Sequence, residues 1–232
     1  MSKKEEQRRI REQKRLAAEK REKMTGRALR LGMFALIPLV LYLLYLGLFK
    51  AAPVYMPAEL AGTDHVRGNP EAALTLTVYA DFQCPACFTE EEIIARAWPR
   101  IEDRIRLVFR HYPLDSHRHA FLAASYAEAA GRQGRFWEMH DFLYANQAVW
   151  AVLDNPSSSF DGYALQLGLD MDKLKSDIEM EAVRAKILAD QKGGTRAGVR
   201  GTPALFINGR LISNPRSSSE LISMVNQALE NL

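Results

Sequence analysis

Residues 31–49, LGMFALIPLVLYLLYLGLF, contain no charged side chain, and no other feature restricts the chain so strongly. A helix of that length spans roughly 28 Å, close to the hydrocarbon thickness of a bilayer. Gly32, Pro38 and Gly47 are tolerable in a membrane helix, where neighbours or local adjustments satisfy freed backbone groups. Eight Lys or Arg lie in the twenty residues before the segment, against only Lys50 and Arg67 in the twenty after it. The positive-inside rule then puts the N-terminus in the cytoplasm and residues 50–232 outside. A cleavable signal peptide is the alternative, but this apolar run is longer than a signal core of ~7–15 residues, so the length favours an uncleaved anchor.

Charge follows the same division. Of the 31 Lys and Arg and 28 Asp and Glu in the chain, 12 and 5 fall within residues 1–30, which leaves 19 and 23 for the rest. The basic balance therefore belongs to an N-terminal arm, read as a topology-setting tail or a helix lying on anionic lipid. The remainder is mildly acidic and lacks the basic stripe with interleaved aromatics that nucleic-acid binding requires. An extracytoplasmic domain sits where disulfides form and persist. The chain holds just two cysteines, in DFQCPACFTE at residues 81–90.

Beyond the apolar run, residues 50–70 are rich in proline and turn residues and read as a linker. LTLTVYA, 74–80, has the β-branched and aromatic content of a buried strand, and IRLVFRHY, 105–112, is a second. Between them, 84–98 has helical spacing, with Ile93, Ile94, Ala97 and Trp98 on one face. Residues 116–192 read as a run of helices broken by the loop DNPSSSF. GVRGTPALFINGRLI returns to strand character, with a hairpin turn at Asn208-Gly209. The last segment, SSSELISMVNQALENL, closes as a helix with a serine cap. Strand–helix–strand order with a contiguous helical run gives an α/β sheet with an inserted helical subdomain.

Cys84 falls where a strand gives way to a helix, and unpaired N–H groups at a helix start stabilise a thiolate. Pro85 suits the first helical turn, where its missing N–H costs nothing. Cys87, one turn along the same face, is the less exposed sulfur. Cys84 is thus the sulfur that attacks or is attacked, and Cys87 resolves the mixed disulfide. A structural zinc site would need four ligands, and no second cysteine pair exists. His117 and His119 are too closely spaced for such a site, and His65, His111 and His140 are scattered along the chain. Carriage of Cu(I) by the thiolate pair is the non-enzymatic alternative.

YADFQCPACF, FRHYPL followed by HRHA, and GVRGTPALFINGR, in that order, resemble the DsbA-like thioredoxin-fold proteins of the group with an N-terminal anchor. The resemblance covers roughly residues 70–230. It implies a thioredoxin fold over 71–232 with a helical insertion at about 114–195, preceded by one transmembrane helix. It further implies that Pro203 is a cis-proline beside the disulfide, presenting Thr202 backbone groups to a substrate strand. The best-known oxidase of the family has a histidine between its cysteines where this chain has Ala86, so a less acidic Cys84 is expected here.

The implied protein is an inner-membrane thiol–disulfide oxidoreductase whose catalytic domain faces the periplasm or its equivalent. It would donate the Cys84–Cys87 disulfide to thiols of exported proteins and be reoxidised by an integral membrane, quinone-linked partner. No cofactor beyond that redox-active disulfide, and no metal, is expected. Residues 50–70 leave no room for a dimerisation domain, which points to a monomer. A reductase or isomerase remains the alternative enzyme.

Among supporting residues, Asp81 is either a proton relay to Cys87 or a turn carboxylate at the strand end. Glu91 is either a through-space tuner of the sulfurs or a solvated helix charge. His111, His117 and His119 read as strand-end and helix-start residues, with Asp115 or Ser116 as cap. Phe136, Trp137, Phe142 and Tyr144 fall at helical spacing and read as packing of the insertion core.

Overall fold

The computed structural model describes residues 62–232 and, before them, only Leu36, Ile37 and Tyr42. The basic arm, the apolar run and most of the proposed linker lie outside the described residues. No helix among the described residues is long and apolar enough to cross a membrane.

A five-stranded sheet organises residues 62–232, with strands β1 (His65–Gly68), β2 (Leu74–Ala80), β3 (Ile105–His111), β4 (Ala204–Ile207) and β5 (Arg210–Ile212) in the order β1-β3-β2-β4-β5. Only β2 and β3 run parallel, from Leu74 opposite Ile105 to Ala80 opposite His111. The other neighbouring pairs are antiparallel. Helix α1 (Pro85–Ala97) makes the crossover from β2 to β3. Both of these strands are buried along nearly their whole length, as strands covered on two faces must be.

The helical insertion comprises α2 (Ala120–Gly131), α3 (Phe136–Ala145), α4 (Gln147–Trp150), α5 (Ser157–Gln166), α6 (Met171–Ile178) and α7 (Glu181–Arg196). It packs through Ala123, Ala127, Ala130, Met139 and Leu143, all fully buried. Small alanines on α2 let its neighbours approach closely. Helix α8 (Ser218–Glu230) closes the domain, with Ser217 Oγ accepting from the Glu220 N–H at 3.2 Å as its cap. On the far face of the sheet a smaller cluster joins Tyr79, Tyr112, Val199, Ala204 and Phe206. There Gly194 of α7 runs so near the sheet that a Cβ would stand 2.8 Å from the Tyr79 ring.

Three boundaries differ from the sequence reading. His65–Gly68, assigned to the linker, is an edge strand paired with β3; its alternating half-exposed pattern in only four residues gives no hydrophobic signal. Helix α5 begins at Ser157, inside the segment DNPSSSF taken as loop, with Pro156 as its N-cap residue and Asn155 Oδ1 accepting the Ser157 N–H at 3.0 Å. The long helix read over 170–192 is two, α6 and α7, divided at Glu179 and Met180. The Asn208-Gly209 turn is a hairpin turn with positive φ at both residues, 46° and 76°.

Candidate active site

Strand β2 ends at Ala80, and the chain turns through Asp81, Phe82 and Gln83 into α1, with the Cys84 N–H donating to the Asp81 carbonyl at 3.1 Å. Cys84 is the N-cap residue, extended at φ −75° and ψ 120°, and Pro85 is the first helical residue. The Cys84 carbonyl accepts from the N–H groups of Cys87 and Phe88, at 3.0 and 3.2 Å. Both sulfurs are reduced and nearly enclosed, with Cys84 7% and Cys87 2% exposed.

The two thiols are driven in opposite directions. Hydrogen bonding from the Cys87 thiol, more than anything else, lowers Cys84 to about 5 against the opposing effect of burial; the Thr202 hydroxyl and the N–H groups of Cys87 and Ala86 add to it. Ala86 supplies no imidazole; its backbone N–H, which any residue but proline would offer there, is the smallest of these donors. Burial, and then the neighbouring Cys84, push the Cys87 thiol far upward, although the Asp81 N–H donates to its sulfur at 3.5 Å. The reduced pair is therefore a thiolate at Cys84 beside a thiol at Cys87.

Pairing of Tyr79 with Ala204 brings the start of β4 alongside the end of β2. This places Thr202 and Pro203 against the helix start. Their peptide bond is cis, the isomer the resemblance implies. Cys84 Sγ lies 3.5 Å from the Thr202 carbonyl oxygen, to which it can donate only while protonated. Thr202 Oγ1 is buried without a partner of ordinary hydrogen-bond geometry, yet it stands near enough to lower both thiols.

Asp81 acts at the turn. One carboxylate oxygen accepts the Gln83 N–H at 2.7 Å; the other accepts the Leu114 N–H at 2.8 Å and meets His117 Nδ1 at 2.7 Å. The side chain is fully enclosed. This fastens the segment leaving β3 to the turn before Cys84. His117 thereby joins the site surroundings, as does His119, whose N–H donates to Gln83 Oε1 at 2.7 Å. Neither capping role expected for Asp115 and Ser116 is seen: His119 precedes α2 without a side-chain cap.

Sequence reasoning missed Gln147. Its amide nitrogen donates to the carbonyls of Phe82 and Cys84, at 2.7 and 3.0 Å, tying the insertion to the thiol loop. Nothing in the sequence marks it, because its partners are main-chain atoms 63 and 65 residues away. Of the aromatic set, Phe136 and Tyr144 are buried, Trp137 packs against the same core, and Phe142 stacks on Tyr163.

Beyond the sulfurs, two groups of three metal-capable residues come together, each joining elements far apart in sequence. In one, His65 Nε2 and His111 Nε2 each lie 2.8 Å from Glu128 Oε1, and hydrogen bonding from both imidazoles outweighs burial to hold Glu128 low. In the other, Glu91 and Asp141 flank the fully buried ring of His140. Glu90, the neighbour of Glu91, is buried with Oε1 unpartnered and is pushed up to about 7, first by burial and then by Glu91.

A family model described as Thioredoxin matches residues 60–227. A thioredoxin-like oxidoreductase from Silicibacter pomeroyi DSS-3 is 25% identical, with a TM-score of 0.62 over 73% of this chain and 94% of its own. The thiol-disulfide exchange protein α-DsbA2 of Wolbachia pipientis is 20% identical and shares the fold, with a TM-score of 0.61 over 74% of this chain and 89% of its own. The Na(+)/H(+) antiporter NhaA 1 of Salinispora arenicola is 42% identical over 148 residues, which make up 63% of this chain and 22% of that protein. The chain spans about a quarter of the length of the curated relatives it matches, 22%, 24% and 25% for the first three.

Proposed function

The chain belongs to this thioredoxin family, and from that premise we propose that it oxidises the thiols of exported proteins with a disulfide formed between Cys84 and Cys87. It is a protein-disulfide oxidoreductase. One observation carries the direction of electron flow: Cys84 is lowered to about 5 while Cys87 is raised. A stabilised thiolate favours the reduced protein, and a dithiol favoured in its reduced form is an oxidant as a disulfide.

The steps follow from exposure and leaving-group strength. A substrate thiolate attacks Cys84 Sγ, the more exposed sulfur; the Cys84–Cys87 bond breaks, and Cys87 departs and takes up a proton. A second substrate thiolate then attacks the substrate sulfur of the mixed disulfide and expels the Cys84 thiolate, a good leaving group because of its low pKa. The substrate gains a disulfide and loses two electrons, which the protein now holds as one thiolate and one thiol. Pro203 and the Thr202 backbone would guide the substrate strand to Cys84.

The apolar run at 31–49 would anchor a monomer with its N-terminus in the cytoplasm and residues 50–232 outside. A quinone-linked protein in the same membrane would withdraw the two electrons. Disulfide reduction, isomerisation and Cu(I) carriage are the competing readings. The reduction potential of the full chain in detergent, equilibrated with glutathione and read by thiol trapping, separates the first of them. A value between about −120 and −180 mV is expected, and one near −270 mV would make the protein a reductant. Tight stoichiometric Cu(I) binding with slow peptide oxidation would favour the carrier.

A further inference from the structure

Helix α1 carries Glu91 one turn beyond Cys87, over a cavity of about 440 Å3 whose walls include Phe88, Ile94, Trp98, Leu107 and Tyr144. His140 of α3 stands beside Glu91, behind the cavity wall and with no exposed surface, among the rings of Phe82, Phe109, Trp137 and Tyr144. Its Nδ1 lies 2.9 Å from Asp141 Oδ1, so the proton of the neutral ring belongs on Nδ1, where the carboxylate accepts it. Nε2 is then left as a buried lone pair with no hydrogen-bond partner. What it faces is Glu91 Oε2, 3.7 Å away.

That separation is too long for a hydrogen bond even if Glu91 carried a proton. A bare lone pair beside a carboxylate oxygen is unfavourable in a poorly solvated site. The separation comes within a few tenths of an ångström of the distance between two ligands of one ion. With metal bonds of about 2.0–2.2 Å and tetrahedral angles, adjacent ligand atoms stand roughly 3.3–3.6 Å apart, so a small side-chain adjustment would bring the two atoms onto one ion. A carboxylate on Nδ1 is moreover the usual orienting partner of a metal-binding histidine. Arg67 reaches Asp141 Oδ1 at 3.4 Å while lying over Trp98 and Trp137, so the nearby cation is engaged with Asp141.

We propose that Glu91 Oε2 and His140 Nε2 are ligands of a divalent cation of the zinc class, with Asp141 orienting His140 and water completing the coordination. A nitrogen and oxygen donor set suits zinc better than magnesium or calcium, which prefer oxygen alone. The site is separate from the dithiol and does not rest on the oxidase reading.

The test uses the full chain in detergent with Cys84 and Cys87 oxidised to a disulfide, so that no thiolate competes. After chelator treatment, Zn2+ is titrated against a chromophoric competitor. One equivalent should bind, with X-ray absorption showing imidazole and oxygen ligands and no sulfur. Glu91→Gln, at a side chain one-fifth exposed, should weaken binding more than about tenfold, and Asp141→Asn by roughly 10- to 100-fold. Glu92→Gln on the cavity rim should leave affinity unchanged. Absence of binding by the oxidised wild type overturns the proposal, as does equal binding by the Glu91 and Glu92 variants. Circular dichroism on each variant confirms that weakened binding is not unfolding.

Discussion

Two sets of buried ionisable groups flank β3, and they are treated differently. On one side Asp64, Arg110, Lys186 and Asp190 form a closed network. Arg110 Nη2 meets Asp64 Oδ2 at 2.7 Å, and Lys186 Nζ meets Asp190 Oδ2 at 2.6 Å, while that same Asp190 oxygen accepts the His111 N–H at 3.1 Å. Along α1 on the other side, Cys84, Cys87, Glu90 and Glu91 sit one to two turns apart; Cys84 is held low by its hydrogen-bond donors, while Cys87, Glu90 and Glu91 are raised by burial. Their proton affinities are displaced, and Glu90 Oε1 and Thr202 Oγ1 go without formal partners. Pairing holds the charged form of Arg110, whereas along α1 burial with few partners favours the neutral forms of Cys87, Glu90 and Glu91.

The sharpest break of that contrast is to delete one member from each set. Cys84→Ser should abolish oxidation of reduced peptides while thermal unfolding of the full chain in detergent hardly changes, because the sulfur's interactions are chemical. Residual turnover above background would mean that Cys87 can act alone. Asp64→Asn should do the reverse, retaining exchange per folded molecule but costing about 3–5 kcal/mol, because Arg110 is left with one fewer charge partner at a buried site. A loss below about 1 kcal/mol would show that the network is not the closed structural unit its geometry describes.

Glu90 gives a smaller effect with a definite sign. Its carboxyl is raised from 4.5 to about 7, so the folded protein holds a proton that the unfolded chain has released. Stability from this group is full below about pH 4.5 and is lost as pH rises through about 7. Glu90→Gln should therefore match the wild type near pH 4 and exceed it by up to about 3 kcal/mol at pH 8. A pH-independent difference would mean that Glu90 is not the group that titrates.

These contrasts were partly legible in the chain itself. The strands at 74–80 and 105–111, the thiol turn and the hairpin at Asn208 follow from local chemistry: β-branched runs, a Pro-led helix start, and an Asn-Gly pair suited to positive φ. The break before α7 did not, because no breaker residue marks it in the sequence, and the edge strand at His65 did not, because it depends on pairing with the distant β3. For the same reason Asp81 could be read as a turn carboxylate but its partner His117 could not be named. Gln147 and the facing of Glu91 on His140 are products of how the insertion docks on α1. No periodicity records that docking.

The finest test of the contrast concerns a group that belongs to the chemical set yet carries no part of the fold. Thr202 Oγ1 is buried and has no conventional partner, so replacing the hydroxyl with a methyl in Thr202→Val removes nothing the fold uses. Stability of the oxidised chain should stay within about 0.5 kcal/mol of the wild type. The Cys84 thiolate, however, loses a donor that holds it near 5. A full hydrogen bond to a charged group contributes about 1.5–3 kcal/mol; this donor lacks ordinary geometry and should contribute less, up to about one pKa unit. The pH dependence of Cys84 alkylation should shift upward by that amount. The disulfide should become less oxidising by up to about 30 mV, since 30 mV corresponds to about 1.4 kcal/mol for a two-electron couple. An unchanged Cys84 titration with lowered stability would place Thr202 in the structural set instead, and the division between paired and sparsely partnered groups would then fail at the residue nearest the chemistry.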